Sequence, residues 1–177
     1  MSAAPDSQLQ VRRVLDTNIV LDLWVFDEPK AETLRQSLET GRTHWLATAA
    51  MREELARVLA YPQIAKRLNA RALPSDTVLA HFDRLVQLQP DAPKAPYVCK
   101  DPDDQKFIDL AVAHTAALHS KDAQVLCMKN RLERCGVTLN PVDGYVYAVP
   151  FVESDTEIFL KTIIPSRKAT KQYRSQS

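Results

Sequence analysis

The chain has 177 residues, 45% hydrophobic and 25% charged, with a formal net charge of +1, a composition that describes one soluble globular domain with room for a full core. The first ten residues are polar, without a basic region followed by an apolar one, and no run approaches the ~18 apolar residues of a membrane span, so no membrane association and a cytoplasmic location are expected. Cys99, Cys127 and Cys135 are an odd set without C-x-x-C spacing, which supports neither a disulfide framework nor a zinc site and points to buried thiols.

Val14-Leu15 reads as a buried strand and Ile19 to Val25 as a helix, so Asp16 stands where strand gives way to helix. In open α/β sheets ligands gather beyond the carboxyl ends of strands, and a carboxylate placed there faces a site. Capping of the helix by Asp16 or Thr17 is an equally ordinary explanation. Pro29 to Thr40 reads as a helix with Ala31, Leu34 and Leu38 on one side, ended by Gly41, and Thr43 to Ala47 as a short strand.

Thr48 can cap a helix reaching Leu59, with Met51, Leu55, Val58 and Leu59 on its apolar face. Glu54 falls at the edge of that face and can turn inward, or form an ion pair with a neighbour such as Arg57. Glu53 points to water. Tyr61 to Leu88 continues as helix, with Ile64 and Leu68 and then, after Pro74, Val78, Leu79, Phe82, Leu85 and Val86. Gln89 to Pro96, with three prolines, is a loop.

In Asp101-Pro102-Asp103-Asp104, Pro102 is expected to open a helix with Asp101 as its cap. An acidic first turn suits the helix dipole and is by itself a reason for these carboxylates. Asp104 shares a face with Phe107, Ile108 and Ala111 and starts from the buried side, whereas Asp109 points to solvent. Ala116 to Ser120 reads as another central strand, with Asp122 just past its end as ligand or cap. Val125 to Cys135 is expected to be a helix closed by Gly136, and Val137 to Leu139 a final strand.

Several chemistries fall away. The glycines Gly41, Gly136 and Gly144 build no dinucleotide or P-loop motif, and neither a nucleophile elbow nor His-Glu-x-x-His occurs. A haloacid-dehalogenase-type phosphatase needs an acid where Asn18 stands. Four carboxylates at matching places in a β-α alternation remain, and a parallel sheet can bring them together. Like charges a few ångströms apart raise one another's pKa and call for a compensating cation. Mg²⁺ or Mn²⁺, oxygen-seeking and able to take a substrate phosphate into its shell, suits phosphodiester hydrolysis.

Asp16-Thr17-Asn18, Glu54-Leu55, Asp104-x-x-Phe107 before Leu110-Ala111, and Ser120-x-Asp122 together resemble the PIN domain family over about residues 11 to 142. The resemblance is narrower to the branch of toxin components of toxin-antitoxin systems, the VapC-like ribonucleases. It implies an α/β fold, a PIN-like three-layer α/β/α sandwich with a central parallel sheet, and a Mg²⁺- or Mn²⁺-dependent endoribonuclease. A catalytically degenerate module that binds RNA or protein is the alternative. Asp16, Glu54, Asp104 and Asp122 are assigned by it to the metal centre, with Asn18 and Ser120 as supporting polar residues. Ser120 replaces the family's usual Thr, and Lys121 stands where Gly is common; a lysine beside the metal either contacts phosphate or hinders it. RNA is the implied substrate, a cognate antitoxin the implied protein partner, and a homodimer the implied assembly.

Outside this region, residues 1–10 are expected to be a flexible N-terminus and 143–177 an extension. Phe151 to Ile164 has enough apolar residues for an added helix or strand. The last 17 residues carry Lys161, Arg167, Lys168, Lys171 and Arg174 and no acid, while the whole chain is only +1. Arg167, Lys168, Lys171 and Arg174 are therefore candidate RNA contacts through phosphate neutralisation. A disordered tail or packing on a second subunit accounts for them equally.

Overall fold

The structure, a computed structural model, describes residues 11–141 and, beyond them, the backbone of four short strands. Two compact units are present, Met1–Pro141 and Val142–Ser177. In the second, β6 (Tyr147–Ala148) pairs antiparallel with β9 (Ile164–Pro165), and β7 (Phe151–Glu153) with β8 (Ile158–Leu160). The first ten residues and the cations Arg167, Lys168, Lys171 and Arg174 lie outside the described residues. Among the described residues no helix is long and apolar enough to cross a membrane.

The first unit is an α/β/α sandwich around a five-stranded parallel sheet in the order β3-β2-β1-β4-β5. Its strands are β1 (Val11–Leu15), β2 (Thr43–Ala47), β3 (Val86–Leu88), β4 (Ala117–Ser120) and β5 (Leu139–Pro141). From β1 the chain steps outward through β2 to β3, then crosses back to lay β4 against the other side of β1. Strand order therefore reverses between β1 and β4, and the crevice at their carboxyl ends is where such sheets bind ligands. Asp16, Ser120 and Asp122 all fall at that crevice.

The helices follow the apolar spacing in most places. α1 (Thr17–Leu21) runs into a π-helical turn, Asp22–Phe26, and α2 (Glu32–Glu39) follows a 3-10 turn at Pro29–Ala31. α3 (Ala49–Leu59) starts at Thr48, whose hydroxyl accepts from the Met51 amide at 3.4 Å, and buries Met51, Leu55 and Leu59. α4 (Pro62–Ala70) and α5 (Ser75–Leu85) pack on α3, and α6 (Gln105–His114) lies across β1, β2 and β4. Aromatic packing ties the π-helical turn to the sheet. Trp24 stacks on Trp45 of β2 at 5.6 Å between ring centres, and Phe82 of α5 meets Trp45 edge-on at 4.9 Å. Truncating a buried ring of this kind costs about 3–5 kcal/mol.

Four expectations are corrected. Val86–Leu88 is an edge strand, β3, continuing directly from α5. α6 begins at Gln105, because Asp101 Oδ1 accepts from the Asp103 amide at 2.9 Å and turns the chain before the helix starts. The stretch after β4 divides into α7 (Ala123–Leu126) and α8 (Lys129–Glu133), and Gly136, with φ +75°, lies where an added Cβ would stand 3.0 Å from Thr115 Cγ2. Cys99 is buried, but Cys127 is exposed and Cys135 intermediate, all three as free thiols.

Candidate active site

Asp16 leaves β1 in an extended conformation, and its amide donates to the His119 carbonyl at 3.0 Å, joining it to the end of β4. Its main-chain carbonyl receives the first amides of α1, from Ile19 and Val20, while its side chain caps nothing. The capping explanation thus fails for this carboxylate. Instead Oδ2 accepts from Ser120 Oγ at 2.5 Å and from Asn18 Nδ2 at 2.8 Å. Ser120 Oγ in turn accepts from the Asp122 amide at 3.0 Å, and Asn18 Oδ1 from the Lys121 amide at 3.4 Å. These bonds pin the turns after β1 and β4 to each other.

Asp122 does cap α7, its Oδ1 accepting from the Gln124 amide at 2.7 Å. Glu54 reaches in from α3, where Thr17 Oγ1 donates to its Oε1 at 2.7 Å. Oε2 is buried without a regular hydrogen bond, and the Lys106 ammonium lies against it as an ion pair. Glu54 is therefore paired across helices with Lys106, not along its own helix with Arg57. Asp104 sits at the N-cap position of α6 without capping it, and its Oδ2 is buried with no hydrogen-bond partner among the described residues.

The four carboxylates act on one another electrostatically. Burial pushes the Asp16 carboxyl up to about 6, with Glu54 and Asp122 adding to the rise and the Ser120 and Asn18 hydrogen bonds opposing it. Asp104 is pushed up to about 7, first by burial and then by Asp16, Asp122, Asp101 and Glu54. Both acids thus hold protons at pH values where ordinary aspartates have lost them. Among the described residues, no group of three or more His, Cys, Asp or Glu is spaced to hold an ion directly. Lys106, Thr17, Ser120, Asn18 and the Gln124 amide each engage a carboxylate oxygen of Glu54, Asp16 or Asp122.

The donor set suits a hard divalent cation: carboxylate oxygens only, two of them reluctant to ionise, and one buried oxygen unsatisfied. The Lys121 ammonium forms an ion pair with Asp22, whose side chain is only 4% exposed in the π-helical turn. A groove lined by Arg12, His44, Gln87, His114 and Thr138 includes none of the four acids.

Sequence reasoning passes over three residues here. Lys106 follows Asp104 by two positions; Asp22 is a lone acid inside the apolar run Ile19 to Val25; Thr17 reads from sequence only as a cap. The isolation of Asp22 is a usable signal, because a carboxylate in an apolar run needs a cation. Asp109 is a further correction. It is buried, accepting from the Ala95 amide at 2.9 Å and from Gln105 Nε2 at 2.6 Å, because the loop before α6 folds back over it.

The PIN domain family model matches residues 12–123. No curated protein matches the chain in sequence. Among solved structures, the chain is similar to VapBC2 from Rickettsia felis bound to a DNA fragment from their promoter, with 12% identity and a TM-score of 0.49, covering 74% of this chain and 98% of that one. It is also similar to a PilT N-terminus domain protein from Sulfolobus solfataricus, with 16% identity and a TM-score of 0.42, covering 75% and 88% of the two chains.

Proposed function

Because the chain belongs to the PIN domain family, we propose that it is a metal-dependent endoribonuclease whose ion is held by Asp16, Glu54, Asp104 and Asp122. The observation that carries this reading is the buried, unsatisfied Oδ2 of Asp104, in a pocket where Asp16, Asp122 and Glu54 all raise its affinity for a proton. A group in that state takes up positive charge, and a divalent ion is the cation that several carboxylates can share.

Mg²⁺ or Mn²⁺ bound there supplies the charge that polarises a phosphodiester and acidifies the attacking water. The chain's own residues do the rest. Ser120 and Asn18 orient Asp16 through two hydrogen bonds to one oxygen, leaving the other side of the carboxylate for the ion. Thr17 fixes Glu54, and the Asp122 carboxylate is held at the start of α7 by the Gln124 amide. The motif resemblance extends the reading to the toxin half of a toxin-antitoxin pair acting in the cytoplasm, with an antitoxin as partner and a homodimer as assembly. The basic residues Arg167, Lys168, Lys171 and Arg174 would add phosphate contacts to substrate RNA.

The test is cleavage of labelled single-stranded RNA by the purified chain with Mn²⁺, Mg²⁺ or chelator, alongside Asp16→Asn and Asp104→Asn. Cleavage that needs the metal and is lost in both variants, with folding intact by circular dichroism, supports the assignment. Equal cleavage in both variants refutes it. A second reading, an RNA-binding module without cleavage, is favoured by the Lys106–Glu54 pair, which already neutralises one acid. RNA binding that is insensitive to metal and leaves the RNA intact identifies that case.

A further inference from the structure

Lys106 sits one residue into α6, and its side chain bridges to α3. The ammonium lies against Glu54 Oε2 and also donates to the Asp103 carbonyl at the start of its own helix. It stands 5.0 Å from the centre of the Phe107 ring, and the paired side chains are only 26% and 14% exposed. These contacts hold the cation from three sides: a carboxylate, a carbonyl and an aromatic ring. Glu54 has Thr17 on its other oxygen, so both ends of the carboxylate are engaged. Asp104, two residues before Lys106, leaves its buried Oδ2 without a hydrogen bond.

We propose that Lys106 is the resident counter-ion of the acidic pocket, a group that a divalent metal must displace from Glu54 Oε2 to complete its site; this rests on the metal-dependent reading above. A metal ion bound through that oxygen would lie within a few ångströms of the ammonium, where like charges repel strongly. The two occupancies exclude one another. Without metal, Lys106 neutralises Glu54 and links α6 to α3 through that ion pair. Once displaced, the ammonium stays tethered to the rim of the pocket. Lys106 thereby sets the metal concentration at which the site fills.

Calorimetric titration of Mn²⁺ into the full chain, with Lys106→Met and Lys100→Met compared, tests the competition, because Lys100 is an exposed cation close in sequence. Removing the competitor is expected to tighten Mn²⁺ binding roughly tenfold in Lys106→Met, within the range over which one group commonly alters another's binding, and to leave Lys100→Met within about twofold of the native chain. Acylation of lysines in the native chain, followed by mass spectrometry, reads the displacement itself and does not depend on a variant folding. Saturating Mn²⁺ is expected to raise the labelling rate of Lys106 several-fold while that of Lys100 stays constant. Unchanged or weaker Mn²⁺ affinity in Lys106→Met, or a Lys106 labelling rate indifferent to Mn²⁺ that binds, overturns the proposal and leaves the metal site standing. Absence of site-specific Mn²⁺ binding in all three proteins removes the metal site and this inference together.

Discussion

Asp16→Asn exchanges one heavy atom and removes a carboxylate that burial makes hard to keep charged. In the folded chain Asp16 titrates at about 6, against an ordinary 3.8. At about 1.4 kcal/mol for each pH unit, ionising it in place costs the metal-free fold about 3 kcal/mol. Proton linkage sets the sign. A carboxyl whose folded value is raised contributes stability that is fully present below the unfolded value and is lost as pH rises through the folded one. The penalty therefore develops between about pH 4 and 7. His119, lowered to about 4 mainly by burial and then by Arg13, runs the other way, its contribution being lost as pH falls from 6.5 through 4. The pH profile of the native chain is a mixture, but the difference between native and variant isolates Asp16 together with the relief it gives to Asp104.

Asparagine keeps a carbonyl for Ser120 and Asn18 but loses charge assistance worth about 1 kcal/mol. The variant is thus expected to be about 2 kcal/mol more stable than the native chain above pH 7 with chelator present, and no more stable near pH 4. Urea unfolding followed by the fluorescence of Trp24 and Trp45 at a series of pH values measures this. Mn²⁺ at a hundred times its Kd should stabilise the native chain by about 2.7 kcal/mol and the variant by much less. Parallel pH profiles for the two proteins would refute the reasoning, because they would mean that Asp16 carries no strain of charge.

Ser120→Ala removes the hydroxyl that bridges Asp16 Oδ2 and the Asp122 amide; it should cost about 1–3 kcal/mol and push Asp16 ionisation still higher, read by urea unfolding across pH. Asp22→Asn breaks the ion pair with Lys121, with an expected loss of about 3 kcal/mol; a change below about 0.5 kcal/mol would show that the pair is not structural. Deleting residues 166–177 removes Arg167, Lys168, Lys171 and Arg174; RNA affinity should fall, and the slope of log K against log salt should flatten by about 0.7 for each phosphate that these cations neutralise, measured by fluorescence anisotropy.

Where secondary structure and function share a local cause, the sequence is a good guide. Thr43–Ala47 and the Thr48 cap are readable because a β-rich run, a hydroxyl and an i, i+4 apolar pattern follow one another directly. Asp16 stands out for the same reason, as a charge interrupting an apolar run at a strand end. What escapes is set by contacts between distant segments. The edge strand β3 carries a half-buried Val86 and exposed Gln87 and Leu88 and follows α5 without a break, so nothing local separates it from the helix. Asp109 looks solvated on a helical wheel, yet the Ala95 amide reaches it from the loop before α6 and the Gln105 side chain from the same helix. The Lys106–Glu54 pair joins α6 to α3 across 52 positions of sequence, and no periodicity within either helix foreshadows it.

An ion held by carboxylates just after β1, on α3, just before α6 and after β4 is what the proposed chemistry would require. Anomalous diffraction from crystals of the full chain soaked in Mn²⁺ reaches that requirement most directly. The predicted result is a single strong peak about 2.1 Å from oxygens of Asp16 and Asp104, with Glu54 turned away from Lys106 and Asp122 close to the ion or to its waters. A peak at any other place on the protein, or a pocket whose carboxylates keep their present protein partners at saturating Mn²⁺, would contradict it.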